Sequence, residues 1–321
     1  MNRKKVFITG ITGFAGSHLA ELLNSENKFD IFGTHVSDRH LDNLDRIKES
    51  VNLYKVNLLN SQDISKAINI VKPEIIYHLA ASTSVTESFA NPTDMLMNNI
   101  MSQVNLLEAV KNNNLKIQSI IITSSSHVYG NVSANDLPID ENVKFRPDNP
   151  YSVSKITQDY LGLSYFLAYK LPIVVLRPFN HIGPRLSPSI SVSRFARAIA
   201  LIEKGNGEPI LKVGNLDAKR DFTDVHDMVR AYLLALDHCT PGEVYNIGTG
   251  KSYSIREILD ILLSLSVVKI SVESDKSLFR PSDIPELRCN SDKFKRTTGW
   301  VPEALIENTL QDILDYWRKV I

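Results

Sequence analysis

A glycine-rich turn near the amino terminus constrains the fold of this chain more than any other feature. Residues 5–9 (KVFIT) form a short apolar run typical of a β-strand, Gly10, Gly13 and Gly16 follow it, and residues 17–23 have a helical pattern. In such a unit the first glycine permits a tight turn, the second lets backbone approach a pyrophosphate, and the third lets the helix pack close to the strand. The helix amino terminus then faces the anion. The spacing is GxxGxxG rather than GxGxxG, and incidental glycines in an ordinary strand–turn–helix are the alternative.

Strand-like and helix-like segments alternate through the first half of the chain. Predicted strands cover residues 29–36, 52–57, 74–80, 118–123 and 172–176, and helical patterns separate them. Strands rich in β-branched apolar residues that alternate with helices predict a parallel sheet covered on both faces. The predicted fold class is therefore α/β, a doubly wound sheet of the Rossmann type, in which ligands bind beyond the carboxyl ends of the strands.

The alternation loosens after residue 180. A stretch rich in proline and serine precedes a helical pattern, and shorter strands and helices follow without an internal repeat or a long linker. We expect a smaller α/β lobe beside the sheet, with the substrate between the two. The predicted boundaries are residues 1–178, with about 223–248, for a dinucleotide-binding Rossmann domain, and 179–222 with 249–321 for the substrate lobe.

The charge balance argues against two classes of partner. The 321 residues carry 36 Lys and Arg against 36 Asp and Glu side chains, a formal net charge of zero. Such a chain has no electrostatic reason to bind nucleic acid or an anionic membrane, and no apolar run approaches the length of a membrane span. The first predicted strand starts without a signal-like segment, which predicts a cytoplasmic protein. Cys239 and Cys289 fit no metal-binding spacing and are expected to be reduced thiols.

Tyr151 and Lys155 form a second candidate motif, on a predicted helix that runs to about residue 169. Residues four apart on a helix lie on the same face. An ammonium beside a phenol favours the phenolate, which would let Tyr151 exchange a proton near neutral pH. An exposed helix pair is the common alternative for this spacing alone. Here, however, a serine-rich strand end (124–126) lies between the pair and the glycine turn.

These motifs resemble those of the extended short-chain dehydrogenases/reductases that act on nucleotide sugars. The segments that carry the resemblance are 9–16 (TGITGFAG), 77–81 (YHLAA), 124–130 (SSSHVYG), 150–155 (PYSVSK) and 177–184 (RPFNHIGP). Two later segments, 213–222 (VGNLDAKRDF) and 279–285 (FRPSDIP), resemble the branch that holds the GDP-mannose 4,6-dehydratases and the GDP-4-keto-6-deoxymannose reductases. The resemblance implies that the smaller lobe binds a nucleotide-diphosphate sugar, which the branch narrows to GDP-linked ones, and that the protein is a homodimer.

The resemblance also implies a catalytic group of three residues. Tyr151 would be the general acid/base at the sugar oxygen of ring position 4, and Ser125 would hydrogen-bond the same oxygen. Lys155 would lower the pKa of Tyr151 and hold the cofactor ribose. The proton donor and the hydride carrier must both lie within about 3 Å of the reacting carbonyl. Simple capping of the strand end is the alternative for a serine in this segment.

Substrate contacts are implied by further matches. Arg220 and Arg280 are candidate diphosphate clamps, since a guanidinium fork matches phosphate oxygens bidentately. A surface ion pair between Arg220 and Asp221 is the alternative. Asn180 resembles the family's substrate-contacting amide, although a turn at this point would also favour an Asn. The predicted substrate-binding residues are Ser126, His127, Asn180, Arg220 and Arg280.

The choice of cofactor is encoded at the end of the second predicted strand. NAD enzymes usually place an acid there for the ribose hydroxyls, whereas NADP enzymes place a basic or small polar residue. Here the strand ends in Thr34 and His35, Asp38 comes later, and Arg39 could meet a 2′-phosphate. The pattern favours NADP(H) and leaves NAD(H) open. The predicted cofactor-binding residues are Gly10, Thr12, Gly13, Phe14, Ala15, Gly16, Thr34, Arg39, Asn57, Leu58, Leu79, Ala80, Ala81, Tyr151 and Lys155.

The residue two positions before Tyr129 bears on the reaction type. Related dehydratases carry a Glu there, because 4,6-dehydration needs a base to remove the proton from sugar position 5. In this chain the position is His127. A ketone reduction needs no such base, since a hydride and a proton from Tyr151 suffice. We therefore predict reduction of GDP-4-keto-6-deoxy-D-mannose to a GDP-6-deoxyhexose such as GDP-D-rhamnose. A 4-epimerase that retains its cofactor and a 4,6-dehydratase stay open.

Two other classes of function are weighed against an enzyme. A non-catalytic dinucleotide sensor on the same fold would typically have lost Tyr151 or Lys155, and both are intact. An interaction protein would use the apolar residues of the Tyr151 helix as a partner surface, although their spacing equally suits a core or the homodimer face seen in the resembled family. These residues are Tyr160, Leu161, Leu163 and Leu167.

Overall fold

A computed structural model of the chain describes residues 3–279 and 284–321. Its strands are β1 (Lys4–Thr9), β2 (Phe29–His35), β3 (Val51–Lys55), β4 (Ile75–His78), β5 (Ser119–Thr123), β6 (Ile173–Pro178), β7 (Asn180–Ile182), β8 (Ile210–Val213), β9 (Lys219–Asp224), β10 (Val244–Ile247), β11 (Ser252–Ser254), β12 (Ser271–Ser274) and β13 (Glu286–Leu287). Its α-helices are α1 (Phe14–Ser25), α2 (Ser61–Val71), α3 (Val85–Ala90), α4 (Pro92–Asn112), α5 (Pro150–Tyr169), α6 (Ser191–Glu203), α7 (Val225–His238), α8 (Ile255–Ser264), α9 (Asp292–Thr298) and α10 (Ile306–Val320). Short 3-10 helices cover Leu41–Ser50, Ser126–Tyr129, Ala134–Asp136 and Lys276–Leu278.

Seven of the described strands form one sheet in the order β10-β6-β5-β4-β1-β2-β3. All of its pairings are parallel. The order runs outward from β1 in both directions, which is the doubly wound Rossmann arrangement. The central strands β4, β5 and β6 are buried along their whole length, as a parallel sheet with two covered faces requires. The predicted fold class is confirmed.

Helices cover the two faces of this sheet. Val6 and Ile8 of β1 point into a core that contains residues of α1 and α7. Phe7, between them, points into the opposite core, with residues of α2 and α4. The alternation is that of any strand, and each fully buried aliphatic side chain contributes roughly 1.5–3 kcal/mol. The sheet is therefore held from both sides, and its carboxyl edge stays free for ligands.

Beyond β6 the chain builds two smaller sheets. Strand β9 pairs with β7, β11 and β13, and β8 pairs with β12. Helices α6, α8 and α10 cover them through a separate core that includes Phe195, Ile258 and Leu310. This is the smaller α/β lobe that the fold prediction includes.

Some local features differ from the sequence prediction. The helical pattern between β2 and β3 forms a 3-10 helix at Leu41–Ser50. Strand β9 was not predicted because its sequence, KRDFTD, is mostly charged or polar, and such residues are rare in strands. Helix α10 was not predicted either, although its buried residues Ile306, Leu310, Ile313 and Leu314 have the 3–4-residue spacing of an amphipathic helix.

Two further observations concern the chain as described. Among residues 3–279 and 284–321, no helix combines the length and the apolar character that a membrane crossing demands. Cys239 and Cys289 are both buried, and neither takes part in a disulfide.

Candidate active site

The glycine turn forms a backbone cradle at the carboxyl end of β1. Gly10 has a φ of +71°, which side-chain-bearing residues rarely adopt, and an added Cβ would lie 3.0 Å from the Cα of Ala80. At Gly16 an added Cβ would lie 2.3 Å from the carbonyl oxygen of Gly10, so α1 packs directly on the turn. Gly13 is the N-cap of α1; no side chain caps this helix and its first turn holds no acid. The amino terminus of α1 thus suits an anion, and the turn fits the pyrophosphate of a dinucleotide.

The other predicted cofactor residues lie at neighbouring strand ends. The backbone N–H groups of Gly10 and Ile11 donate to the carbonyl oxygen of Thr34, at 3.1 and 3.2 Å. The N–H group of Ala80 donates to Thr9 Oγ1 at 3.1 Å. The carboxyl ends of β1, β2 and β4 are thereby fastened together. The residues that the structure places in or beside this edge are Thr12, Phe14, Ala15, Leu79 and Ala81, while Asn57 and Leu58 follow β3.

The end of β2 has a charge arrangement that the sequence did not reveal. Lys55, at the end of β3, lies opposite His35 in the sheet register. Its Nζ pairs with Asp38 Oδ2 at 3.0 Å. The acid that follows this strand end is therefore neutralised, while Arg39 stays exposed. Such a surface favours the 2′-phosphate of NADP(H) over bare ribose hydroxyls.

Ser125, His127 and Tyr151 meet beyond the end of β5. Tyr151 lies in the first turn of α5, where the N-cap Asn149 accepts a hydrogen bond from the N–H of Ser152 at 2.8 Å. The rings of His127 and Tyr151 meet edge to face, with centroids 6.0 Å apart. Burial raises the pKa of the Tyr151 phenol, and the Ser125 hydroxyl offsets this in part. The structure thus brings together Tyr151 and Ser125, which are predicted to contact the reacting oxygen, and His127, which is predicted to bind substrate.

Lys155 lies one turn further along α5 and is buried. Its Nζ donates to the carbonyl oxygen of Thr123, at the end of β5, at 2.9 Å. Burial lowers the pKa of Lys155 to about 8, and the charge of Asp159 acts in the opposite direction. Burial raises the pKa of Tyr151 and the Ser125 hydroxyl lowers it, so the contribution of Lys155 to this pKa stays a prediction.

Sequence reasoning missed a buried polar network one turn beyond Lys155. Asp159 Oδ2 pairs with Arg177 Nε at 2.7 Å, and Arg177 Nη1 donates to the hydroxyl of Tyr129 at 2.8 Å. That hydroxyl donates to Asn246 Oδ1 at 2.7 Å. The network ties α5 to β6 and β10, and loss of either charged partner would leave the other buried and uncompensated. An acid four residues after Lys155 was the available signal in the sequence.

The predicted substrate residues divide between two places. Ser126 is buried in the 3-10 helix that follows β5, beside His127. Asn180 starts β7, where its Oδ1 atom is buried and has no hydrogen-bond partner among the described residues. A buried amide oxygen without a partner is uncommon and suits contact with a ligand. Asn180 lies opposite Phe222 of β9, two residues from Arg220, so one small sheet carries both.

Arg220 is buried on β9 and does not use Asp221 as its ion-pair partner among the described residues. Arg220 Nη1 donates to the carbonyl oxygen of Ile284 at 2.7 Å. The carboxylate of Asp221 instead accepts from the backbone N–H groups of Thr249, Gly250 and Cys289 at 2.8 to 3.1 Å. Neighbouring strand residues face opposite sides, so the two side chains diverge. The other predicted clamp, Arg280, lies outside the described residues.

Comparisons with known proteins show which proteins this chain is similar to. A family model described as GDP-mannose 4,6 dehydratase matches residues 7–313. The chain is 32% identical to the GDP-6-deoxy-D-mannose reductase of Pseudomonas aeruginosa over 98% of each chain. It is 28% identical to the GDP-mannose 4,6-dehydratase of Vibrio cholerae serotype O1, covering 98% of this chain and 93% of that protein.

Two solved structures of similar proteins contain a nicotinamide cofactor. The chain is similar to RMD from Pseudomonas aeruginosa complexed with NADPH, with a TM-score of 0.85 and 31% identity over 99% of this chain and 100% of that one. It is also similar to the UDP-glucose 4-epimerase of Thermus thermophilus in complex with NAD, with a TM-score of 0.88 and 26% identity over 99% and 100% of the two chains.

Proposed function

The chain belongs to the GDP-mannose 4,6-dehydratase family, and on that premise we propose that it reduces a GDP-4-keto-6-deoxyhexose. Membership makes it an NAD(P)-dependent enzyme of nucleotide-sugar metabolism, as the sequence predicts. The proposed substrate is GDP-4-keto-6-deoxy-D-mannose, and the proposed product is a GDP-6-deoxyhexose such as GDP-D-rhamnose. NADPH is the favoured reductant and NADH a second one.

The imidazole of His127 beside Tyr151 is the observation that carries this proposal. A 4,6-dehydration must remove a proton from sugar position 5, and the family's dehydratases use a Glu at this point. Here the ring of His127 stands next to Tyr151 instead. The acid on the helix of Tyr151 is Asp159, which lies two turns beyond Tyr151 and is paired with Arg177. A reduction needs only a hydride and one proton.

The proposed reduction assigns one task to each side chain. A nicotinamide cofactor, when bound, would supply the hydride for the carbonyl carbon at sugar position 4. Tyr151 donates its hydroxyl proton to the carbonyl oxygen, and Ser125 donates a hydrogen bond to the same oxygen. The Lys155 ammonium would hold the cofactor ribose, and solvent returns a proton to the phenolate that remains. Gly10, Gly13 and Gly16 hold the dinucleotide by its pyrophosphate.

We place the nucleotide end of the substrate in the smaller lobe. Arg220 and Arg280 would neutralise the diphosphate, and the unpartnered Oδ1 of Asn180 would accept a hydrogen bond from the sugar. This assignment uses the predicted division of the chain, with residues 1–178 and about 223–248 for the dinucleotide and 179–222 and 249–321 for the nucleotide sugar.

We also propose a homodimer formed through α5. Tyr160 and Leu167 are 59% and 57% exposed on this helix, so they are not core residues of the single chain. Leu163 is exposed between them, and Leu161 is partly buried. A second copy of α5 would cover this apolar face. Sedimentation of Leu163→Glu should show monomers where the unchanged protein shows dimers; a monomeric unchanged protein would contradict the proposal.

The reaction is tested with the purified protein, a chemically prepared 4-keto sugar and both nicotinamides. We expect absorbance at the NADPH band to fall by one equivalent for each GDP-4-keto-6-deoxy-D-mannose consumed. GDP-mannose alone should give no 4-keto product. Accumulation of that product without net change in absorbance would identify a dehydratase, and interconversion of 4-epimers without net change would identify an epimerase. The same assay with UDP-, dTDP- and CDP-linked 4-keto sugars tests which nucleotide the enzyme prefers in its substrate.

A further inference from the structure

Arg185 lies in the turn after β7, and its side chain contacts segments that pack beside the glycine turn. It lies three residues beyond β7 and has a φ of +72°, a conformation that side-chain-bearing residues adopt rarely. The side chain is 11% exposed. An unfavourable backbone conformation at an Arg whose side chain is mostly covered indicates that the surrounding contacts determine where its guanidinium lies.

The guanidinium of Arg185 binds two segments that flank the glycine turn. Its Nη2 and Nη1 atoms form a bidentate pair with Glu21 of α1, at 2.6 and 3.1 Å. Its Nη1 atom also donates to the backbone carbonyl oxygen of Asn43, in the 3-10 helix Leu41–Ser50, at 2.6 Å. Charge-assisted bidentate contacts of this kind fix both distance and orientation.

Asn43 passes this contact on to the glycine turn itself. Its side-chain Nδ2 atom donates to the carbonyl oxygen of Thr12, between Gly10 and Gly13, at 2.8 Å. Arg185 therefore holds the cradle in two ways: through Glu21 it holds the helix whose amino terminus faces the pyrophosphate, and through Asn43 it holds the turn.

His18 completes the attachment as a neutral imidazole. Its Nε2 atom lies 3.0 Å from the carbonyl oxygen of Pro184 and 3.2 Å from Arg185 Nε. Its Nδ1 atom lies 2.7 Å from Arg185 Nη2. Burial and the charge of Arg185 lower the pKa of His18 to about 3, so this arrangement persists across the physiological range.

We propose that Arg185 is a positioning residue for the dinucleotide. It acts through Glu21, Asn43 and His18, and it fixes the position of the glycine turn without itself belonging to that turn. The inference rests on the dinucleotide site and is independent of the sugar that is reduced. A failed reaction assay would leave it standing, and its own failure would leave the reaction untouched.

The test is the affinity of the full-length protein for NADPH, measured by fluorescence titration without any sugar. We expect Arg185→Ala to weaken NADPH binding about tenfold, since a small displacement of a binding group has a large effect. Asn43→Ala should weaken NADPH binding less than Arg185→Ala does. In the double variant the fold-loss of NADPH affinity should be clearly smaller than the product of the two single fold-losses, because both changes interrupt one chain of contacts. Arg185→Lys should recover little, since Lys lacks the bidentate fork.

Arg318 provides the matched control. It forms the same kind of bidentate pair, with Glu203 at 2.8 Å through both Nε and Nη2, and it donates to the carbonyl oxygen of Leu265. Arg318→Ala should lower the melting temperature about as much as Arg185→Ala, yet leave the NADPH affinity unchanged.

Two results would overturn the inference. One is an NADPH affinity within twofold of the original in Arg185→Ala or, if that variant does not fold, in Asn43→Ala. The other is an equal loss of affinity in Arg318→Ala, which would show that general destabilisation accounts for the effect.

Discussion

The two sides of the proposed site rest on different kinds of support. Ser125, Tyr151 and Lys155 stand at the end of a sheet whose central strands are wholly buried. Arg220 and Asn180 stand on a small sheet whose strands β7 and β13 have only three and two residues. The first side obtains its geometry from regular hydrogen bonding along a continuous sheet. The second must obtain it from individual side chains.

Asp221 shows how the smaller lobe compensates for its short strands. Its buried carboxylate accepts backbone N–H groups from residues 249, 250 and 289, which lie in two separate segments. The carboxylate joins these segments by hydrogen bonds, as strand pairing joins segments in the large sheet. The positions of Arg220 and Asn180 therefore depend on a few long-range polar contacts. We expect single substitutions that leave the fold intact to disturb these positions more than they disturb the residues at the end of the large sheet.

The largest effect is expected on the side of the large sheet. Tyr151→Phe removes the proton donor but leaves the cradle, so turnover should fall roughly 100- to 10,000-fold while NADPH affinity stays unchanged. Tyr160→Phe, on the exposed face of the same helix, is the control and should retain full activity. Steady-state kinetics and NADPH titration provide the two measurements. A Tyr151→Phe protein with near-normal kcat would refute the assignment.

On the smaller lobe we expect losses in affinity. Arg220→Ala and Arg280→Ala should each weaken GDP binding by roughly 1.5–3 kcal/mol, or about 10- to 150-fold, without altering NADPH binding. Lys219→Ala, an exposed neighbour on β9, should change neither. Calorimetry with GDP separates the cases, and unchanged GDP affinity in both Arg variants would mean that the diphosphate binds elsewhere.

The pH dependence tests Lys155 alone. Burial lowers its pKa to about 8, so the ammonium is present below that pH and is lost above it. Turnover should therefore fall by up to about tenfold per pH unit on the alkaline side. In Lys155→Arg the cation persists, so the fall in turnover at alkaline pH should vanish even if the absolute rate is lower. An identical pH profile in the variant would assign this fall to another group.

The smallest effect is expected at the end of β2. Arg39→Ala removes an exposed cation, and Lys55→Ala frees Asp38 to repel a 2′-phosphate. Each change should weaken NADPH binding about two- to fivefold, the scale of exposed ion pairs, and should leave NADH affinity unchanged. Parallel titrations with both nicotinamides provide the check. Equal losses for the two would show that neither residue distinguishes them.

The same contrast explains what the sequence could predict. The glycine turn and the Tyr151–Lys155 pair are local patterns, because a turn and one helical turn fix their geometry within a few residues. Arg185 and Glu21 are 164 residues apart, so no spacing reveals that they meet. Lys55 stayed unnoticed for the same reason, because its role depends on β3 lying beside β2.

The position of β10 has a consequence for how such an enzyme can change its substrate. The chain leaves the large sheet at the end of β6 and returns to it at β10, which is hydrogen-bonded to β6. The intervening residues, which include Asn180 and Arg220, therefore form an excursion whose two ends are attached at the same place. Residues 179–222 contribute no strand to the large sheet, so insertions or exchanges there leave its strand pairs unchanged. A new sugar or nucleotide can thus be accommodated in the proposed substrate lobe, while the strand ends of the large sheet keep their register.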